Sequence, residues 1–103
     1  MVQEIHNPSY DEVFYLEKKI EDEINKRCKR IKGVRKVNAL PEITWIDGVY
    51  FIGGRVMVET QRGFINVHLI HKSIKEEVDN IIKEHIPTEH LPSLSEIPVY
   101  IIK

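Results

Sequence analysis

Residues 63–87, GFINVHLIHKSIKEEVDNIIKEHIP, decide the fold because two secondary structures compete for their first part. Ile65, Val67 and Leu69 alternate with polar residues, which is typical of a half-buried strand. On that interpretation, a helix would begin only at Ile74, after a cap at Ser73. The competing interpretation is a single helix that already includes the alternating residues.

Helical periodicity favours the single helix. At 100° per residue, a stripe of apolar and histidine side chains lies within about 60° of Val67. Its members are Ile70, His71, Ile74, Val78, Ile81, Ile82 and His85. This stripe outweighs the short alternation, so we predict a helix from about Ile65 to Ile86, with Leu69 on its polar side. Pro87 ends it, because proline cannot continue a helix.

Another helix is predicted nearer the start of the chain. Ser9 and Glu12 form a capping box, and apolar residues then recur every three or four positions as far as Ile31. We predict that this amphipathic helix ends at Gly33. The single cysteine, Cys28, falls on its apolar stripe, where packing in the core is the expected role.

The segment between the helices is typical of strands. Residues 34–46 are predicted to be extended, with an interruption at Pro41. Asp47 and Gly48 predict a hairpin turn, because both central positions of that turn require a positive φ. A second strand is then expected over residues 49–59.

The second strand contains Gly53 and Gly54, which predict a β-bulge; the alternative is a turn that splits the strand into a hairpin.

Residues 98–102 predict a final strand, which must pair with an existing one. The order is helix, strand, strand, helix, strand. We therefore predict one α+β domain over residues 1–103, with a three-stranded sheet and two helices on one face.

Composition excludes several classes of function. The chain has 103 residues, with 15 Lys and Arg against 16 Asp and Glu, so no basic field attracts nucleic acid. Trp45, Tyr50 and Phe51 could stack on single-stranded RNA, but their sparse basic surroundings favour packing in the core. A lone cysteine indicates a reducing compartment. No apolar run reaches the roughly 18 residues that span a bilayer, so we expect a soluble chain.

Histidines are the candidates for chemistry. His68 and His71 are three residues apart on the predicted helix, which brings two imidazoles near one another, as metal sites require. A structural zinc site needs about four ligands, so distant residues or a second subunit would have to contribute. For His71 and His85, a core or interface position is the alternative. Phosphate-binding loops and nucleophile elbows are absent from the sequence, so we expect no enzymatic activity.

Several fragments together carry a family pattern. They are Ile31-Lys32-Gly33-Val34, Leu40, Gly48, Tyr50-Phe51-Ile52, Val56-Met57-Val58-Glu59, Val67-His68 with the aliphatic run to Pro87, and Val99-Tyr100-Ile101-Ile102. In order and interval they resemble the cytoplasmic C-terminal domain of cation diffusion facilitators. These proteins are proton-coupled exporters of zinc and related divalent metals.

The resemblance implies a ferredoxin-like αββαβ fold and a homodimer whose subunits meet near the second helix and the sheet. It implies attachment to the transmembrane domain of the same transporter, on the cytoplasmic side of the cell membrane. Zinc or another divalent cation at the interface would adjust the angle between the domains and thereby regulate the membrane region.

For the metal, the resemblance implies His68 as a helix ligand, and we rank His71 second. Asn38 and Arg55 lie at positions where members of the family can have strand histidines. Without those histidines, the remaining site would be His68 with His71 or His90 and would have fewer ligands. The alternative function is a metal-independent interaction module that pairs subunits with the same fold. No nucleic-acid partner is expected.

Overall fold

The computed structural model describes residues 7–63, 66–92 and 96–102, and within them two helices and a three-stranded sheet follow the order α-β-β-α-β. The elements are α1 (Tyr10–Cys28), β1 (Val34–Ile46), β2 (Val49–Thr60), α2 (Val67–His85), a short 3-10 helix (Thr88–His90) and β3 (Val99–Ile102). In the sheet, β2 pairs antiparallel with β1 and parallel with β3. The predicted α+β, ferredoxin-like fold is confirmed.

Both helices pack on one face of the sheet, which we call the covered face. Its buried side chains are Val34, Ala39, Ile43, Ile52, Val56, Val58 and Val99 from the strands, and Ile20, Ile24, Cys28, Ile70, Ile74, Val78, Ile81 and Ile82 from the helices. The open face consists of Lys36, Asn38, Leu40, Glu42, Thr44, Ile46, Val49, Phe51, Arg55, Met57, Glu59, Tyr100 and Ile102. Strand side chains alternate between these two faces because successive residues point to opposite sides.

Side-chain caps begin both helices. The Ser9 hydroxyl accepts a hydrogen bond from the backbone N–H of Glu12 at 3.2 Å, as the capping box predicts. The Asn66 carboxamide oxygen accepts one from the backbone N–H of Leu69 at 3.1 Å. The strand interpretation of residues 67–69 is therefore wrong, and Leu69 lies on the exposed side of α2. The predicted start at Ile65 falls outside the described residues.

The first helix ends at Cys28 and not, as predicted, at Gly33. After Cys28, the N–H groups of Arg30 and Ile31 bond to carbonyls three residues back, so the chain tightens into turns. Gly33 has a φ of +92°, which continues no helix and turns the chain into β1. Apolar periodicity overestimates the helix because Ile31 still packs against the core from the turn.

The hairpin prediction is confirmed, whereas the predicted interruption at Pro41 is wrong. Asp47 and Gly48 have φ values of 49° and 84°, as a type I′ turn requires. β1 continues through Pro41, which pairs in register with Gly54. Because β1 is an edge strand, a residue without an N–H is tolerated where that group would point away from the sheet.

The predicted bulge at Gly53 and Gly54 is also wrong, because the register is continuous there and shifts instead between Val34 and Lys36. Gly54 instead has a structural role in the packing of the two strands. Its φ is +88°, and a Cβ at this position would lie 2.0 Å from the Leu40 carbonyl oxygen. Glycine at position 54 therefore allows the two strand backbones to approach closely.

Side chains of α1 protect the free edge of β1. The Asn25 carboxamide oxygen accepts a hydrogen bond from the Ala39 N–H at 2.8 Å, and a Glu17 carboxylate oxygen accepts one from the Ile43 N–H at 3.0 Å. Pro41, halfway between them, has no N–H. This part of the edge therefore offers few donors to another strand.

Candidate functional site

The two histidines predicted as ligands lie in the first turns of α2. His68 is exposed and His71 is half-buried. On the same part of the helix, Ile70 and Ile74 are buried in the covered face. Because these isoleucines fix the rotation of the helix about its axis, they also fix the side from which the two imidazoles project. The three-residue spacing leaves the two rings about one turn apart.

His71 makes a hydrogen bond that determines which ring nitrogen is available. Its Nε2 lies 3.2 Å from the Val99 carbonyl oxygen. A carbonyl only accepts, so Nε2–H is the donor and Nδ1 keeps the lone pair when the ring is neutral. Metal-binding histidines commonly donate the other ring N–H to a backbone carbonyl in this way. Sequence reasoning missed Val99 as a partner, because only the pairing of β3 brings its carbonyl to α2.

His71 also lines an open cavity of about 240 Å³. The other lining residues are Lys75, Glu96, Pro98 and Val99. Lys75 and Glu96 form an ion pair there. The ammonium group would repel a dication in the cavity itself. Within residues 7–63, 66–92 and 96–102, no group of three or more His, Cys, Asp or Glu side chains could hold a metal ion.

The structure does not bring His90 to His68. The His90 Nδ1–H donates to the Gly48 carbonyl oxygen at 3.0 Å, and the ring centroid lies 5.6 Å from that of Trp45, so His90 packs at the hairpin turn. His68 is at the other end of α2, because the 17 residue-to-residue steps from His68 to His85 span about 25 Å of helix. A site containing His68 and His90 of one chain is therefore excluded. His6 lies outside the described residues.

The core-packing interpretation of Cys28 is confirmed. Its side chain is fully buried, and burial, with a smaller contribution from Glu77, raises the pKa of the thiol to about 12. The thiol therefore stays protonated at neutral pH and cannot supply a thiolate ligand. The core-packing prediction is correct for Tyr50, which packs against the core, and wrong for Phe51, which lies on the open face. Trp45 is half-buried and packs edge to face on Tyr50 at 4.6 Å.

Comparisons with known proteins support the fold. No protein-family model matches the sequence, and no curated protein matches it. Among solved structures, a single-substitution Asp-to-Asn variant of the MamM C-terminal domain matches with 14% identity and a TM-score of 0.53, covering 82% of this chain and 89% of that chain.

Two further variants of the same domain are similar. A doubly substituted variant has 14% identity and a TM-score of 0.47, covering 84% of this chain and 96% of that chain. A nickel form of another variant has 15% identity and a TM-score of 0.46, covering 84% and 99%. Because the TM-scores of these two variants are below 0.5, only the first structure supports the fold assignment. MamM is a cation diffusion facilitator, and the chain has the fold of that family's C-terminal domain, as the resemblance predicts. Among the described residues, no helix has the length and hydrophobicity needed to cross a membrane.

Proposed function

We propose that this chain is the cytoplasmic dimerisation and metal-responsive domain of a divalent-cation exporter, and that it has no enzymatic activity. The observation that carries the proposal is the combination of this fold with His68 and His71, one turn apart at the start of α2. In this role the domain adjusts the attached membrane region of the same transporter when metal binds.

The metal ligands are the imidazoles of His68 and His71. The hydrogen bond from His71 to Val99 supports this role, because it holds the ring and leaves Nδ1 unprotonated. Each chain offers two ligands, whereas a tetrahedral zinc site takes four, so a second copy has to supply the others. Imidazole suits zinc and several other divalent cations, and we propose zinc or a metal of similar preference.

The dimer forms through the open face of the sheet. Met57 lies between Asn38 and Tyr100 in register, and Tyr100 and Ile102 are 54% and 40% exposed. Leu40 adds a further exposed apolar side chain to this patch. A contiguous exposed apolar patch of this kind marks an interaction surface, and a second copy of the chain covers it.

Metal binding would regulate the dimer by linkage. A cation that binds only the closed dimer stabilises it by about 2.7 kcal/mol at about a hundredfold excess over Kd, enough to shift a two-state hinge. Imidazole must be neutral to bind metal, so this stabilisation is expected to weaken in acid.

The test is a zinc titration of the full chain, following the melting temperature and the dimer mass. Zinc is expected to raise the melting temperature and the fraction of dimer. His68→Ala should weaken the apparent affinity for zinc at least about tenfold. His71→Gln should have a similar effect while its amide still donates to Val99. The matched control is His85→Ala, which removes a half-buried histidine from the other end of α2. An unchanged zinc response in the doubly substituted His68→Ala, His71→Gln chain would contradict the metal site.

A second candidate function is a metal-independent dimerisation module. The positive side chain of Arg55 on the open face favours it, because a guanidinium disfavours a dication nearby. Metal content after gentle purification, measured beside dimer mass with and without chelator, distinguishes the two candidates. A chain that carries no metal, and whose dimer dissociation constant is the same with and without chelator, supports the second.

A further inference from the structure

The open face has three charged side chains that have no ion-pair partner in the described part of the chain, Lys36 and Glu42 on β1 and Arg55 on β2. Leu40 pairs with Arg55 and Glu42 pairs with Gly53, so Arg55 and Glu42 are diagonal neighbours on one surface. By contrast, Glu59 on the same face has Arg35 within 4.0 Å. The unpaired charges have opposite signs and lie beside the apolar patch.

Open space lies next to Glu42. Its cross-strand neighbour is Gly53, where an added Cβ would meet no atom within 4 Å. The glycine therefore leaves a gap in the open face beside an exposed carboxylate. A guanidinium from another molecule fits such a gap, since its planar fork can bind both oxygens of a carboxylate.

The open face is also electrically self-complementary. Lys36 and Arg55 balance Glu42 and Glu59, so two copies of this face meet without net repulsion. In a twofold contact, any pair formed in one direction is repeated in the other. A contact between Arg55 and Glu42 across the axis would therefore occur twice.

We propose that two copies of the chain pack open face to open face, with Arg55 of each copy paired to Glu42 of the other. This inference rests on the proposed function, because it requires the homodimer. It gives the dimer a contact that is independent of metal and fixes the orientation of the two sheets.

The size of the surface explains why two such pairs matter. From Lys36 to Ile46 the strand is about 35 Å long, two strands are about 10 Å wide, and the short β3 adds about 60 Å², so the face covers about 400 Å². A standard stable interface covers about 800 Å² per partner. A surface this small depends on complementary charge for its specificity.

A charge exchange tests the proposal. Arg55→Glu and Glu42→Arg are made separately and together, and the dimer dissociation constant is measured by sedimentation, with and without zinc. Each single change is expected to weaken the dimer at least about tenfold, and the double change to restore it to within about threefold of the original. Lys26→Glu and Asp22→Arg, both exposed on α1, change the net charge equally and should leave the dimer unchanged.

The outcomes separate the two proposals. If the unaltered chain dimerises and neither single change weakens it, the Arg55–Glu42 contact is wrong and the proposed dimer stands. Weakening by both single changes without rescue in the double variant also overturns the pair. If the unaltered chain stays monomeric with and without zinc, the proposed dimerisation itself fails. Urea unfolding of each variant verifies that it is folded.

Discussion

The two faces of the sheet share the same strands and differ in almost every other respect. On β2, Ile52 points into the covered face and is 7% exposed, whereas its neighbour Phe51 points into the open face and is 47% exposed. All buried side chains of the described residues are apolar, while the open face mixes apolar and charged groups. The covered face provides the stability of the domain, and the open face is left for recognition.

The largest expected effect on stability comes from truncating one apolar side chain on each face to alanine. Ile52→Ala should lower the free energy of unfolding by about 2–4 kcal/mol, because it removes buried atoms and leaves a cavity. Phe51→Ala should lower it by less than about 1 kcal/mol in the monomer, since that ring is half exposed. Urea unfolding at a protein concentration low enough to keep the chain monomeric measures both. Equal losses would contradict the assignment of the two faces.

The next effect concerns the strand register that assigns residues to the faces. Gly54→Ala should destabilise the domain by about 2–3 kcal/mol, because the added methyl group meets the Leu40 carbonyl and the backbone is in the left-handed region. Gly53→Ala is the matched control, since a Cβ there meets no atom within 4 Å. Its effect on the unfolding midpoint should be small. A Gly54 variant as stable as the Gly53 variant would show that β1 and β2 are not so close.

The smallest effect concerns the helices that cover one face. Arg27 on α1 donates from Nε to a Glu77 carboxylate oxygen at 2.7 Å and pairs through Nη1 with Glu84, so it joins α1 to α2. The hydrogen bond from Arg27 is the main reason that the pKa of Glu84 is lowered. A lowered carboxyl pKa contributes stability above the unfolded value of about 4.5, and this is lost as the pH falls through the folded pKa.

Arg27→Gln should therefore lower the urea midpoint slightly at pH 7 and by a smaller amount at pH 3, because the Glu84 carboxyl group gains protons as the pH falls. High salt should reduce the difference at pH 7, because these groups are partly exposed. Lys26→Gln, an exposed neighbour on α1, is the control. A difference of the same size at both pH values would mean that Arg27 acts through packing alone.

Local patterns predicted much of the fold, and they indicated His68 and His71 as candidate ligands but not the Val99 carbonyl that orients His71. The Asp47-Gly48 turn and the Ser9 cap depend on neighbouring residues, so they were visible in the sequence. The prediction at Pro41 was wrong because β1 is at the edge of the sheet, and the prediction at Gly53-Gly54 was wrong because β1 and β2 approach closely at Gly54 without a bulge. A residue's own chemistry does not reveal which strand is at an edge.

By itself the sequence determined the elements, their order and the side of α2 that is buried, because helical and strand periods depend on short-range geometry. Tertiary structure alone decided that the Val99 carbonyl orients His71, that Asn25 and Glu17 bond to the edge of β1, and that His90 lies far from His68. Each of these depends on how elements distant in the chain are placed against one another. Local patterns carry no information about such placement.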